Sequence, residues 1–292
     1  MTPRKSYVVP LAGRGSLVLG ERTLVMGIIN VTPDSFADGG LRFDADRAVA
    51  DGLQMIADGA DILDVGGEST RPGADPLPED EELRRVLPVI ERLAREAQIP
   101  ISVDTYKATV ARQALDRGAA MVNDISGLAY EPALADAVAA SGAGLVLMHN
   151  RGTSRDMYRE ASYQDVAGEI LLELETAMAR AAARGIRREQ IIVDPGLGFA
   201  KQADHSWTVL AELDRLAALD RPILIGPSRK SFLKAAIGDR PAAEREWATA
   251  AATAAGILGG AHIVRVHGVR EMVDVARAAD RVRARHAWMR PY

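Results

Sequence analysis

Two carboxylates and an amide stand at the ends of short apolar runs in this chain. Asp104, Asn123 and Asp194 each follow such a run. A carboxylate accepts two parallel N–H donors, and an amide offers one donor beside one acceptor. The set suits the edge of a heterocycle with alternating donors and acceptors, such as a 2-amino-4-oxo pyrimidine. Taken singly, each residue could equally well cap a helix or hydrogen-bond to a loop without binding any ligand.

Basic and hydroxyl side chains form a second group, in the segment GPSRKS at 226–231. Hydroxyls, positive charges and the backbone N–H groups of a helix start favour anion binding, and barrel enzymes commonly bind phosphate after strands seven and eight. Arg265 and His267 would stand beside this segment. The alternative is a capped helix with solvated charges. That alternative explains Arg229 better than it explains Lys230 and Arg265 together, because a charge on a barrel strand needs a ligand or partner.

Other motifs are weaker or missing. Segment 66–73, GGESTRPG, is rich in glycine and contains an arginine that could bind a carboxylate or a phosphate. The same composition is typical of an ordinary surface turn. His149 ends an apolar run without the companions of a zinc site, which favours a hydrogen-bonded core histidine. No dinucleotide fingerprint, Walker loop or nucleophile elbow occurs. Covalent nucleophilic catalysis is therefore unsupported.

Eight β-rich apolar runs alternate with longer segments of helical character, which predicts parallel strands joined by helices. The predicted strands are 24–30, 61–66, 100–104, 120–125, 144–149, 190–194, 222–226 and 262–267. The predicted helices are about 44–58, 79–97, 106–117, 131–141, 162–184, 204–219, 228–258 with a break near Pro241, and 269–285.

The number of runs and the polar residues at their ends favour a (β/α)8 TIM barrel, because barrel enzymes build their sites from several strand ends at one face. A doubly wound open sheet would alternate in the same way, and periodicity alone leaves it open. No linker divides the chain, so we expect one domain over 1–292, with a hairpin extension at 1–23 and the barrel at 24–287. The hairpin is expected to plug the barrel floor.

Composition limits the partners. The 36 basic and 40 acidic residues give a formal charge of −4, which predicts no nucleic-acid or anionic-membrane partner. The chain has no cysteine, no recognisable signal peptide and no apolar run of about 18 residues. We therefore expect a cytoplasmic protein without a membrane span.

Longer motifs resemble those of one enzyme family. Segment 26–40, MGIINVTPDSFADGG, closely resembles the opening signature of dihydropteroate synthases, and 61–73, DILDVGGESTRPG, resembles their second signature. Segments 101–107, 122–127, 147–152, 194–201, 226–232 and 263–267 are similar to the later motifs in the same order. The resemblance extends from residue 24 to about 280. It implies a barrel enzyme that joins a pterin pyrophosphate to 4-aminobenzoate with loss of pyrophosphate.

The resemblance also implies roles for individual residues. The residues expected to hold the pterin, by polar contact or by lining its slot, are Asp104, Asn123, Asp194, Lys230, Met148, Phe199 and Gly226. The residues expected at the leaving pyrophosphate are Asn30, as ligand of Mg²⁺, with Arg265 and His267. The residues expected around aminobenzoate are Phe36, Thr70, Arg71 and Pro72 on mobile loops, and Ser231 with Ser228 nearby. Asp38 on the first loop joins Asp104, Lys230, Arg265 and His267 as an expected catalytic residue.

Some positions depart from the family pattern. Asn150 stands where methionine is usual after the strand-five histidine, and Ser206 stands where asparagine is usual. Trp247 with Ala248 replaces a glycine-containing pair, and Gly268 replaces a common aspartate. None of these positions has an assigned chemical role. The family also implies a homodimer, which the sequence itself does not address.

Two other functions stay open at this point. A pterin-binding methyltransferase that passes a folate methyl group to a corrinoid would have a related barrel, but it would not need the loop 69–73 or the anion site at 228–231. A non-catalytic pterin-binding relative would have lost the synthesis. Five residues with expected roles in the synthesis are all present and argue against that second alternative: Asn30, Arg71, Lys230, Arg265 and His267.

Overall fold

A small antiparallel hairpin opens the described part of the chain. The computed structural model describes residues 4–31, 41–69, 73–153, 155–159 and 161–288. Strands β1 (Tyr7–Pro10) and β2 (Ser16–Leu19) pair from Tyr7 opposite Leu19 to Pro10 opposite Ser16. The turn between them contains Gly13 and Gly15, both at positive φ. Glycine reaches this region without a steric penalty, so the tight reversal is favourable.

Eight parallel strands follow and close into a barrel. They are β3 (Leu24–Asn30), β4 (Ile62–Gly66), β5 (Ile101–Asp104), β6 (Met121–Asp124), β7 (Gly144–Met148), β8 (Ile191–Asp194), β9 (Leu224–Ile225) and β10 (Ile263–Val266). Their order is β8-β7-β6-β5-β4-β3-β10-β9. Val193 on β8 bridges to Ile223 just before β9, and its N–H donates to Pro222 O at 2.9 Å. This bridge joins the two ends of the sheet, so the TIM barrel is present and the open sheet is excluded.

Helices occupy the connections between the strands. They are α1 (Leu41–Ala57), α2 (Glu79–Glu96), α3 (Ala108–Asp116), α4 (Leu134–Ser141), α5 (Val166–Ala183), α6 (Ala203–Ala211), α7 (Lys234–Ile237), α8 (Glu246–Gly259) and α9 (Val269–Trp288). No helix in these described ranges is long and apolar enough to cross a bilayer. The helices bury one side against the outside of the barrel, where the main apolar core lies.

One predicted helix is shorter than expected. The segment 228–258 forms a 3-10 turn at Ser231–Leu233, the four-residue α7, and then α8 from Glu246. Gly238 ends α7 at φ 82, and Pro241 precedes another 3-10 turn. Proline cannot donate the backbone hydrogen bond that a continuous helix would need there. The predicted break near Pro241 is confirmed. The predicted long helix between 228 and that break is wrong, because only a 3-10 turn and one short helix form there.

The inside of the barrel has an apolar half and a polar half. Around the amino-terminal ends of the strands, the hairpin packs with inward-facing strand residues in a second buried cluster. Its members are Tyr7, Val9, Leu11, Leu17, Leu19, Leu24, Met26, Ile62, Ala120, Met121, Val146, Ile192, Leu224 and Ile263. The hairpin therefore closes the barrel floor, as the sequence predicts, and polar side chains concentrate at the opposite ends of the strands.

His262 fastens the hairpin region to the barrel. The Ile223 N–H donates to His262 Nδ1 at 3.1 Å, so the ring hydrogen is on Nε2, which lies 3.1 Å from Lys5 O. The side chain is 4% exposed. Burial, the largest cause, lowers the pKa of His262 from 6.5 to about 4. Protonation of Nδ1 would remove the bond from Ile223.

We expect this histidine to make unfolding pH-dependent. Because its pKa is lower in the folded chain, its stabilising contribution is complete above pH 6.5 and is lost as the pH falls towards about 4. The free energy of unfolding of the wild type should fall by on the order of 2 kcal/mol more over this range than that of His262→Gln. Urea unfolding at several pH values measures both. Identical pH profiles would contradict the assignment.

Candidate active site

A largely buried arginine connects the polar side chains inside the barrel. Arg265 on β10 donates from Nε to Asp64 Oδ2 and from Nη2 to Asp104 Oδ2, both at 2.6 Å. The amide of Asn123 donates to the same Asp64 oxygen at 2.8 Å. One guanidinium therefore connects β10, β4 and β5, and Asp64 extends the connection to β6. The predicted residues Asp104, Asn123 and Arg265 lie together, as expected for a barrel.

Asp64 is the member of this cluster that the sequence did not assign to the site. Its side chain is fully buried in the middle of β4, and its Oδ1 has no hydrogen-bond partner among the described residues. A buried carboxylate needs a countercharge, and Arg265 provides it. The available signal was the charge in the otherwise apolar run ILDVG. The aspartate holds both Arg265 and Asn123 in position.

A small group of buried apolar side chains lies beside this cluster. Met148 at the end of β7 and Phe199 in the loop after β8 are buried in one group with Ile125, Met157 and Ala200. The ammonium of Lys230 lies 3.7 Å from the centre of the Phe199 ring, a cation–π contact. Three residues predicted to hold the pterin therefore lie close together. Met148 and Phe199 belong to this apolar group, and Lys230 contacts it. Met157, from the loop after β7, was not predicted.

Burial shifts the protonation of the charged groups here. It is the largest cause of the raised pKa of Asp104, which Arg265 opposes, and it raises the pKa of Asp194 to about 6. The Gly196 N–H, which donates to Asp194 Oδ1 at 2.7 Å, opposes the shift of Asp194. Burial, followed by repulsion from Arg265, lowers the pKa of Lys230 to about 7. Burial thus shifts the pKa values of Asp194 and Lys230 towards each other, a pattern that is common at functional sites.

Ser228 and His267 form a pair at the edge of the cluster. Ser228 Oγ lies 2.9 Å from His267 Nδ1 and also accepts from the His267 backbone N–H at 3.2 Å. Gly226 lies two residues before Ser228, directly after β9, where an added Cβ would be 3.9 Å from Arg265 Cβ. Ser231 lies farther out, with its Oγ 3.4 Å from Tyr158 OH. Among the described residues, no hydrogen bond joins Ser231 to the Arg265 cluster.

Asn30 is the predicted metal ligand. It ends β3, its side chain is exposed, and β3 pairs directly with β10, which carries Arg265. Within the described ranges, no group of three His, Asp or Glu side chains is placed to hold a metal. Mg²⁺ is often held by one or two protein oxygens together with substrate phosphates, so a single amide oxygen beside a diphosphate fits its chemistry.

Five predicted site residues lie outside the described residues. Phe36 and Asp38 fall within 32–40, and Thr70, Arg71 and Pro72 form 70–72. Their assigned roles stay predictions from the sequence.

Comparison with protein families gives one match over most of the chain. The family described as "Pterin binding enzyme" matches residues 26–267. A curated relative, the dihydropteroate synthase of Synechocystis sp., is 46% identical over 261 residues, which cover 89% of this chain and 90% of the relative.

Solved structures show the same similarity. A Xanthomonas albilineans dihydropteroate synthase with 4-aminobenzoic acid superposes with a TM-score of 0.88 at 42% identity, covering 96% of this chain and 99% of that one. A Burkholderia cenocepacia dihydropteroate synthase complexed with 7,8-dihydropteroate has a TM-score of 0.86 at 40% identity, covering 97% of this chain and 98% of that one.

The Asp64–Arg265 contact yields a stability prediction. We expect Asp64→Asn to lower the free energy of unfolding by about 2–4 kcal/mol, because a buried guanidinium loses one of its two countercharges. The matched control is Asp136→Asn, which breaks the solvent-exposed pair with Arg184 and should cost below about 1 kcal/mol. Chemical denaturation measures both variants. Equal losses would show that Asp64 does not have this role.

Proposed function

The chain belongs to the family of pterin-binding enzymes, and from this membership we infer that it catalyses the dihydropteroate synthase reaction. It is a transferase that condenses 7,8-dihydropterin-6-ylmethyl diphosphate with 4-aminobenzoate, giving 7,8-dihydropteroate and pyrophosphate in folate biosynthesis. In the structure, the observation that supports this inference is the Arg265-centred cluster of Asp64, Asp104 and Asn123 beside the apolar group of Met148 and Phe199. The polar side chains can hydrogen-bond to the edge of a heterocycle, and the apolar side chains can contact its two faces.

We assign pterin recognition to the polar layer. Asp194 is buried and held by Gly196 N–H, so its second oxygen remains to accept from the pterin edge. Asn123 supplies an amide from β6, which β7 separates from β8 and Asp194, and Lys230 supplies a donor beside the Phe199 ring. Phe199 and Met148 would contact the ring faces. A flat heterocycle with several donors and acceptors fits this mixture of groups.

The leaving diphosphate would lie near Arg265, His267 and Asn30. Arg265 offers fixed positive charge, and Ser228 holds the His267 ring in one orientation. Mg²⁺, with Asn30 as its protein ligand, would supply charge that stabilises the departing diphosphate. The Arg265 guanidinium and the His267 ring would stabilise the same charge as it develops, which is where electrostatic stabilisation lowers a barrier.

The bond changes follow from this placement. The anilinic nitrogen of 4-aminobenzoate forms a bond to the pterin methylene carbon as the carbon–oxygen bond to the diphosphate breaks. The bond electrons leave with pyrophosphate, and the nitrogen then loses one proton to solvent. Asp104, held by Arg265, would stabilise positive charge on the pterin side of the breaking bond. Ser231, with Ser228 nearby, would receive the aminobenzoate carboxylate, and Asp38, Phe36, Thr70, Arg71 and Pro72 would complete the site from the two loops.

We further propose that the chain acts as one domain, as a homodimer in the cytoplasm. The shared apolar cluster of the hairpin and the barrel supports a single domain. The homodimer rests on the family resemblance and on Trp247 at the start of α8, whose side chain is 89% exposed and would be covered by a second copy. Analytical ultracentrifugation of the full chain tests the dimer, and a monomer at micromolar concentration would contradict it.

The activity itself has a direct test. We expect pyrophosphate release from the pterin diphosphate only when 4-aminobenzoate and Mg²⁺ are both present, because the carbon–oxygen bond breaks as the amine attacks. A coupled pyrophosphate assay with each component omitted in turn measures this. Saturable pterin binding without release would instead favour a methyltransferase or a non-catalytic relative.

Asp104 provides a sharper test of the chemistry. Asp104→Asn should lower turnover by roughly a hundredfold, the size of effect that loss of one preorganised electrostatic contact gives. The chain should still fold, with a lower free energy of unfolding, because Arg265 loses one countercharge and keeps Asp64 as the other. Steady-state kinetics measure turnover, and thermal unfolding is the control. Turnover equal to that of the wild type would remove Asp104 from the mechanism.

A further inference from the structure

The loop between β8 and α6, residues 195–201, is held in an unusual backbone conformation. Gly196, Gly198 and Ala200 have φ values of 68°, 77° and 47°. For the two glycines this conformation costs little, but for Ala200, which is fully buried, the left-handed region costs about 1–2 kcal/mol. Such a conformation persists only where surrounding contacts impose it, and strained segments of this kind cluster at functional sites.

Lys201, at the end of this loop, is one source of those contacts. Its side chain is 1% exposed, which is rare for lysine. The ammonium donates to Phe199 O at 3.0 Å and lies 2.9 Å from His149 Nδ1. An ammonium has no acceptor, so His149 Nδ1 accepts and its ring hydrogen is on Nε2. Nε2 then donates to Glu173 Oε2 on α5, at 3.0 Å.

The contacts continue from Glu173 back to the same loop. Arg151 donates from Nε to Glu173 Oε1 at 3.0 Å, and its guanidinium lies 4.0 Å from the centre of the Tyr163 ring. The Tyr163 hydroxyl donates to Ala200 O at 2.9 Å. A continuous series of polar contacts thus starts at the carbonyl of Phe199 and ends at the carbonyl of Ala200. The strained backbone is fastened on both of its last two peptide units.

The loop carries groups that the proposed function uses. Phe199 packs against the Lys230 ammonium, and Gly196 donates to Asp194. The His149 backbone N–H also donates to Asp194 O at 2.8 Å, so His149 touches both the lysine and the strand that ends in Asp194. We propose that Lys201 and His149 are positioning residues that hold Phe199 and the Asp194 strand end in the geometry that binds the pterin ring. This inference rests on the proposed function.

Chemistry explains why a lysine occupies this buried position. An apolar side chain would fill the space without the cost of burying an ammonium, which is large. Only a group with several donors can hold a loop carbonyl and a histidine nitrogen together. A merely structural lysine would affect the stability of the whole fold, whereas a positioning lysine affects one ligand more than the other.

The test compares affinities for the two substrates in the full-length chain. Lys201→Met keeps the length of the side chain and removes the ammonium with its two hydrogen bonds. His149→Gln removes the ring that connects Lys201 to Glu173. The matched control is His262→Gln, because His262 is an equally buried histidine at the opposite end of the barrel. Calorimetry with 6-hydroxymethyl-7,8-dihydropterin gives the pterin Kd, and kinetics give KM for 4-aminobenzoate and kcat.

We expect Lys201→Met and His149→Gln to raise the pterin Kd by roughly tenfold, the effect of losing one charge-assisted hydrogen bond. The KM for 4-aminobenzoate should stay within about twofold of the wild type, since the lost bonds lie on the pterin side. The control should keep the wild-type pterin Kd even where its unfolding midpoint is lower. If Lys201→Met does not fold, His149→Gln decides the matter.

Other outcomes distinguish a failure of the proposed function from a failure of the positioning role of Lys201 and His149. A wild-type chain that does not bind the pterin would overturn the proposed function itself. A wild type that binds, with both variants unchanged in pterin Kd, would overturn only the positioning role. Equal weakening for both substrates, or a lower unfolding midpoint as the sole effect, would also overturn it, because either result is what a general structural role gives.

Discussion

The neutralisation of one buried charge organises the polar half of this barrel. Arg265 lies inside the barrel at the polar ends of its strands, and a guanidinium there is stable only with carboxylates at hydrogen-bond distance. Asp64 and Asp104 meet that requirement from two different strands. Their positions in turn place Asn123 and the end of β5. A change in the register of any of these strands would separate the charges, so the ion cluster also specifies how the barrel closes.

Much of the fold could be predicted because each element has a local signal. The limits of β3 follow directly from the apolar run at 24–30, and the limits of α2 from the acidic residues that begin it. The weakest prediction was the helix over 228–258. Its composition is helical throughout, yet Gly238 and the backbone before Pro241 interrupt it, and short turns of this kind depend on tertiary contacts more than on local propensity.

The site was less predictable than the fold, for a physical reason. Asp104, Asn123 and Asp194 could be identified because strand ends converge in a barrel. Asp64 gave the signal of a charge in an apolar run, but its role could not be assigned, because its partner Arg265 is 201 positions away in the chain and the contact depends on the closure of the sheet. A sequence motif shows which position of the family pattern a residue occupies, but it does not show which side chains contact each other. The hydrogen bond between Ser228 and His267 could therefore be identified only from the three-dimensional structure.

The amino-terminal extension also holds α9, the last described helix, against the floor of the barrel. Arg4 donates to Ala261 O at 2.6 Å and to Asp280 on α9 at 2.8 Å, and Asp280 accepts from the Thr23 N–H at 2.6 Å. These contacts place the start of the described chain and its last helix at the closed floor of the barrel. A label attached near Arg4 or Asp280 would therefore lie on the side of the barrel away from the strand ends that carry Asp104 and Asp194.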